Sequence, residues 1–85
     1  MYYIYIIKSA KSGKYYVGCT DNVNRRIKEH NKGQSKYTRN KGPWMLEYTE
    51  EYITLSEARK RELTIKSWKK RKSIEKLIGS LGGIV

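Results

Sequence analysis

The apolar positions change their spacing several times along the chain, and each change marks an element. Tyr2 to Ile7 and Lys14 to Gly18 are dense in β-branched and aromatic residues. The polar stretch Ser9-Ala10-Lys11-Ser12-Gly13 between them suits the loop of a β-hairpin. Thr20, Asp21 and Asn22 offer helix N-caps and Gly33 a C-terminal stop, with Val23, Ile27 and His30 on one stripe between them; this predicts a first helix over about 22 to 32. From Lys32 to Pro43 almost nothing is apolar except Tyr37, which predicts a solvated basic loop. Trp44 to Ile53 is strand-like again, and Thr54 with Glu57 makes a capping box that opens a second helix over about 55 to 68. Ile74, Leu77, Ile78 and Leu81 predict a short third helix over Ser73 to Leu81, stopped by Gly82-Gly83.

The predicted order is ββαβαα, with no internal repeat and no linker. It describes a single α+β domain over residues 1–85, whose small three-stranded antiparallel sheet is flanked by helices. Eighty-five residues suffice for one modest core.

Charge changes the picture more than length does. Nineteen Lys and Arg stand against eight Asp and Glu, for a net +11, and such an excess repels itself in a compact chain unless a polyanion is the usual partner. Nucleic acid is the first candidate. A membrane surface would call for a helix with a clean basic face and a broad apolar one, and none is evident. A nonspecific or ribosome-associated binder has the same composition. Cys19 is the only cysteine, so there is no intrachain disulfide and no cysteine-based zinc site, and a cytoplasmic location is expected. The apolar run Tyr2 to Ile7 is too short to span a membrane and lacks the charged prefix of a signal peptide.

Chemistry has three candidate locations. In the hairpin, pairing Ile7 with Tyr16 puts Tyr5, Ile7, Tyr16 and Gly18 on one face, with the two phenols as diagonal neighbours. A slip of one residue would separate them, and the commoner reason for eight tyrosines in a chain without Phe is an aromatic core. In the first helix, Val23, Arg26, Ile27 and His30 share an arc of about 100°, so Arg26 and His30 can converge on a phosphate beside the sheet while Arg25 faces solvent. A semi-buried histidine near a helix C-terminus is the plainer account of His30. In the second helix, Leu55, Ala58, Glu62 and Ile65 fall within about 80°, which puts a carboxylate amid an apolar face. Left unpaired there it would cost several kcal/mol, on the order of the burial penalty for a charge, so Glu62 is ion-paired, as to an arginine such as Arg26, or protonated, or bound to a metal cation.

Two basic segments fit a phosphate backbone. Lys36, Arg39 and Lys41 lie in the predicted loop, and Lys69, Lys70, Arg71 and Lys72 follow the second helix. Tyr37, Trp44 and Trp68 can stack on unpaired bases, although tryptophans more often fill a core.

Together these residues resemble the GIY-YIG nucleases. Tyr3-Ile4-Tyr5 and Tyr16-Val17-Gly18, with Tyr5 and Tyr16 eleven apart, match the paired motif that names the family, and Arg26, His30 and Glu62 follow in the right order. The chain looks in particular like the small stand-alone bacterial and archaeal UPF0213 subgroup, in Tyr16 to Thr20, Arg25 to Asn31, Glu57 to Glu62, and Lys66 to Trp68. Two positions depart from the pattern: Tyr3 stands where the name has glycine, and no asparagine follows Glu62. The resemblance implies an endonuclease that hydrolyses phosphodiester bonds in DNA, in repair or recombination. Tyr5, Tyr16, Arg26, His30 and Glu62 would be catalytic, and Glu62 would hold a divalent cation, Mg2+ or Mn2+ in its place. A tyrosine or the histidine would help to deprotonate water, and the arginine would steady the phosphate. Most relatives carry a separate DNA-recognition module, so sequence specificity here should be low or supplied by substrate shape or a partner protein. The alternative is a noncatalytic nucleic-acid-binding module on the same scaffold.

Overall fold

A computed structural model describes residues 1–80. The elements are β1 (Tyr2–Ser9), β2 (Tyr15–Thr20), α1 (Val23–Asn31), β3 (Trp44–Tyr52), α2 (Leu55–Lys66) and α3 (Arg71–Ile78). This is the expected ββαβαα order. The third helix runs from Arg71 to Ile78 and is capped at Gly79, rather than running from Ser73 to Leu81, so half of the basic run 69–72 is helical; Leu81 to Gly83 lie outside the described residues. No helix of the described residues is long and apolar enough to cross a membrane.

The sheet has strand order β2-β1-β3, all antiparallel. Because β1 is central and covered on both faces, both of its side-chain sets must be apolar: Ile4, Ile6 and Ile7 are fully buried and Tyr5 nearly so. On one face α2 and α3 pack Ala58, Ile65, Ile74 and Leu77 against Ile4, Ile6, Val17 and Tyr48. On the other, α1 brings Ile27 to Tyr5, Ile7, Tyr16, Trp44 and Leu46. The hairpin pairs Ile7 with Tyr16 and Tyr5 with Gly18, as the sequence predicts.

Two features set the relation of the layers. Between Ile6 and Ile7 the β1–β3 register shifts: Ile6 faces Tyr48 but Ile7 faces Leu46, leaving Glu47 as the extra residue of a bulge. Trp44 and Leu46 therefore join the α1 face, whereas Tyr48 joins the α2 face. On that second face, Glu50 accepts from Arg61 at 2.9 and 3.1 Å and from the hydroxyls of Tyr48 and Tyr52. Burial pushes the Glu50 carboxyl up, but the bonds from Arg61, Tyr48 and Tyr52 outweigh it and hold the group below the usual carboxylate range. This bidentate pair fixes the rotation of α2 against β3.

The segment 32–43 departs from the solvated loop expected of it. Its basic side chains Lys32, Lys36, Arg39 and Lys41 are exposed, but Ser35 and Thr38 are buried. Asn31, the last residue of α1, clamps the start of β3 by accepting from the Trp44 N–H at 2.7 Å and donating to its carbonyl at 3.2 Å. The indole Nε1 of Trp44 donates to the Thr38 carbonyl at 3.1 Å. A polar segment becomes partly internal because its buried groups all find partners.

Candidate active site

The site forms where α1 packs over the sheet. Tyr5 projects from central β1 toward Gly18 on edge strand β2, and a Cβ at Gly18 would sit 2.3 Å from the Tyr5 hydroxyl oxygen. Only a residue without a side chain lets the phenol lie there. Its oxygen is 2.8 Å from His30 Nε2, and His30 Nδ1 is 2.6 Å from Thr38 Oγ1. His30 and Thr38 are each 1% exposed, so Tyr5, His30 and Thr38 form an internal polar chain. A neutral imidazole has one N–H, so the ring donates in one of its two bonds and accepts in the other.

Electrostatics keep this chain neutral. Burial, reinforced by the positive Arg26 nearby, lowers the His30 pKa to about 4. Burial also pushes the Tyr5 phenol up to about 12; Arg26 opposes this, while Tyr16 and Glu62 add to it. Near pH 7 the imidazole is therefore uncharged and the phenol keeps its proton.

The two tyrosines are not equivalent. Tyr5 is 1% exposed, whereas Tyr16 is only half-buried. The Tyr16 ring lies 6.4 Å from that of Tyr5 and stands edge-on to His30 at 5.1 Å. Tyr16 thus forms the rim of the site and Tyr5 its floor.

Arg26 and Arg25 separate as the helical wheel requires. Arg25 is about half exposed and paired with Asp21 at 2.6 Å. Arg26 is more enclosed, pairs with Glu29 at 3.0 Å, and acts on both the Tyr5 phenol and the His30 ring. The Asn22 side chain caps α1 by accepting from the Arg25 N–H, which fixes the start of the helix and the face that carries Arg26 and His30.

Glu62 is enclosed, its side chain 15% exposed, but its cation partner is Lys66 at 2.6 Å, one turn on. The arginine pairing weighed from the sequence does not form: Arg26 goes to Glu29 and Arg61 to Glu50. The Glu62 charge reaches the Tyr5 phenol and the Cys19 thiol, and Lys66 Nζ lies 5.9 Å from the Tyr16 ring centre. The pair thus sits at the β2 edge beside the phenols. Among the described residues no three His, Cys, Asp or Glu side chains gather as a metal cage. One enclosed carboxylate instead suits a hard cation that keeps most of its water, such as Mg2+.

The remaining candidates are scattered. Lys36, Arg39, Lys69, Lys70 and Lys72 are exposed, and Lys41 is exposed on a backbone whose carbonyl is bound by Ser9. Arg71 has structural partners, with Glu75 at 3.3 Å and the Tyr15 ring at 4.9 Å. Trp44 is core, Trp68 packs beneath Arg61, and Tyr37 is exposed. Sequence reasoning did not single out Thr38, Asn31 or Ser9, all small polar residues that act through long-range hydrogen bonds.

Comparison with known proteins identifies the family of this fold. Residues 1–76 match the GIY-YIG catalytic domain. A UPF0213 protein of Staphylococcus aureus (strain Mu3) is 42% identical over 74 residues, covering 86% of this chain and 89% of its own. The UPF0213 protein SSP2268 of Staphylococcus saprophyticus is 43% identical over 75 residues, covering 87% and 90%. The solution NMR structure of the UPF0213 protein BH0048 from Bacillus halodurans superposes with a TM-score of 0.61 at 38% identity, covering 96% of this chain and 87% of that one. With the paired tyrosines, the glycine beneath Tyr5 and the match across most of its length, the chain belongs to the GIY-YIG family.

Proposed function

We propose that the chain is an endonuclease that hydrolyses phosphodiester bonds in DNA, with Mg2+, or Mn2+ in its place, held at Glu62. The observation that carries this reading is the convergence of two phenols, a neutral imidazole, a guanidinium and an enclosed carboxylate at one edge of the sheet. Glu62 would hold the divalent ion, which would supply charge stabilisation to the phosphate and its leaving oxygen. Arg26 lies at the site with its guanidinium partly exposed, and it orients the phosphate. Tyr16, the phenol open to solvent, holds the attacking water. His30 is buried, so it acts through Tyr5 as a positioning residue, holding the phenol by their hydrogen bond at 2.8 Å. Its cations suit phosphates rather than base edges, so intrinsic sequence specificity is low. Selectivity then comes from substrate shape, as in the branched intermediates of repair and recombination, or from a partner protein.

A second reading, a noncatalytic nucleic-acid-binding module, is favoured by one observation: Glu62 already has a cation in Lys66. Incubation with labelled single-stranded, duplex and branched DNA separates the two, using Mg2+, Mn2+ or chelator. Cleavage that requires the metal and stops with chelator is the expected result. Binding to these substrates without cleavage under any condition overturns the enzyme and leaves the module.

A further inference from the structure

Away from the tyrosines, the hairpin turn and the segment before β3 enclose a cleft of about 430 Å³ lined by Lys11, Ser12, Lys14, Asn40 and Lys41. Three of its five residues are lysines and none is acidic. Among the described residues none of these lysines has a carboxylate partner. Ion pairs among the described residues involve Arg25, Arg26, Arg61, Lys66 and Arg71, so what sets the cleft apart is three lysines lining one concave surface. Three cationic residues along one cleft with no acidic residue among its lining suit an anionic ligand.

The cleft is also held in shape. Ser9, fully buried, donates to the Lys41 carbonyl at 2.6 Å and accepts from the N–H groups of Lys11 at 3.2 Å and Ser12 at 3.0 Å. One hydroxyl therefore binds both walls. The Ala10 N–H adds a bond to the Pro43 carbonyl at 2.9 Å. Asn40 takes a left-handed backbone, φ 63°, at the crest of the second wall. From the α3 side Arg71 comes within reach of Gly13 at the turn, extending the cationic rim.

We infer that this cleft is a second nucleic-acid subsite, which takes the phosphodiester backbone of the bound strand at a distance from the catalytic residues. The inference rests on the reading of the chain as a nucleic-acid protein but not on cleavage. Tyr5 and Ser9 are four residues apart on β1, a separation of roughly 13 Å at about 3.3 Å per residue. That corresponds to about four base-pair steps of duplex. The strand in the cleft also bears on the site, because the Lys41 N–H donates to the Thr38 carbonyl at 3.2 Å and Thr38 is the partner of His30.

The test compares two triple variants that carry the same change in charge. One is Lys11→Gln with Lys14→Gln and Lys41→Gln; the other is Lys28→Gln with Lys60→Gln and Lys76→Gln, at exposed positions outside the cleft. Affinity for a mixed-sequence DNA duplex is measured by fluorescence anisotropy over a range of salt. Each lost phosphate contact removes about 0.9 from the logarithmic salt slope, so the cleft triple is expected to lose about 2.7 and the control much less. Equal slopes for the two triples overturn the subsite. Should the cleft triple not fold, the three single variants serve instead, each expected to lose about 0.9; a loss no greater than that of Lys60→Gln overturns the inference. If wild type binds with a cleft-dependent slope yet never cleaves, the endonuclease reading fails and the subsite stands; if it cleaves but the slopes are equal, only the subsite fails.

Discussion

Gly18 and Tyr5 occupy one volume: the space that a Gly18 side chain would fill is already held by the Tyr5 phenol, with Cζ 2.4 Å and the hydroxyl oxygen 2.3 Å from the position of a Cβ. The glycine in the second motif of the sequence therefore has a packing cause, and it links the two strands through a side chain as well as through their ladder.

Gly18→Ala must push the Tyr5 ring away from β2. The ring is buried and bound to His30, so the expected cost is about 1–3 kcal/mol, typical of an overpacked core, with loss of the Tyr5–His30 bond. Tyr5→Phe should not relieve it, because the collision includes the ring carbon. Tyr5→Leu should. Urea denaturation of the four members of the Gly18→Ala, Tyr5→Leu cycle checks this; additive costs would show that the two positions do not compete.

Glu62→Gln is expected to keep the fold and DNA binding and to abolish metal-dependent cleavage. It removes the anion and conserves volume. Its partner Lys66 is 46% exposed, so the freed ammonium stays hydrated and the loss of stability should be below about 1 kcal/mol. Melting temperature, duplex affinity and Mg2+-dependent cleavage are read on one preparation. Cleavage at the wild-type rate would remove Glu62 from the mechanism.

Arg26→Ala is expected to slow cleavage by on the order of a hundredfold or more, the usual effect of losing a donor to a transition-state phosphate. Arg25→Ala, which faces solvent beside Asp21, should leave the rate near wild type. Single-turnover rates on one substrate decide it, and equal losses would contradict the assignment of faces on α1.

Stability should fall with pH through the titration of His30. An unfolded histidine protonates near 6.5 and the folded one only near 4, so between these values the unfolded state binds the additional proton. Stability conferred by the neutral ring is complete above about pH 6.5 and is lost progressively toward pH 4, by on the order of 3 kcal/mol. Glu50, held below its ordinary range, contributes a loss only at lower pH. Urea unfolding at pH 7.5 and 5 is expected to show a drop that His30→Gln lacks. The same drop in both proteins would assign it to another group.

Much of this was legible in the sequence because it repeats at short range. The polar loop between β1 and β2 marks a hairpin whose pairing of Ile7 with Tyr16 sets Tyr5 beside Tyr16, and the helical period separates Arg26 from Arg25. Thr38 was hidden because its segment has the composition of a solvated loop, and only the folded chain shows that His30 and Trp44 bind it. Ser9 and Asn31 were hidden for the same reason: their partners lie 32 and 13 residues away, and a hydrogen bond at such a separation leaves no periodic trace. For Glu62 only the need was legible, since the wheel sets a carboxylate amid an apolar face but does not show that Lys66, one turn on, bends back to pair with it.

The bulge at Glu47 gives β3 two reading frames. Trp44, Leu46 and Tyr48 are all even-numbered, and in an unbroken strand they would share one face; here the first two serve α1 and the third serves α2. Changes in chain length at the ends of β3 leave both frames intact, whereas a residue deleted at Glu47 merges them and turns Trp44 and Leu46 away from α1. The indole would then no longer hold the Thr38 carbonyl, so a missing residue on the far side of the sheet from Tyr16 would be felt at His30.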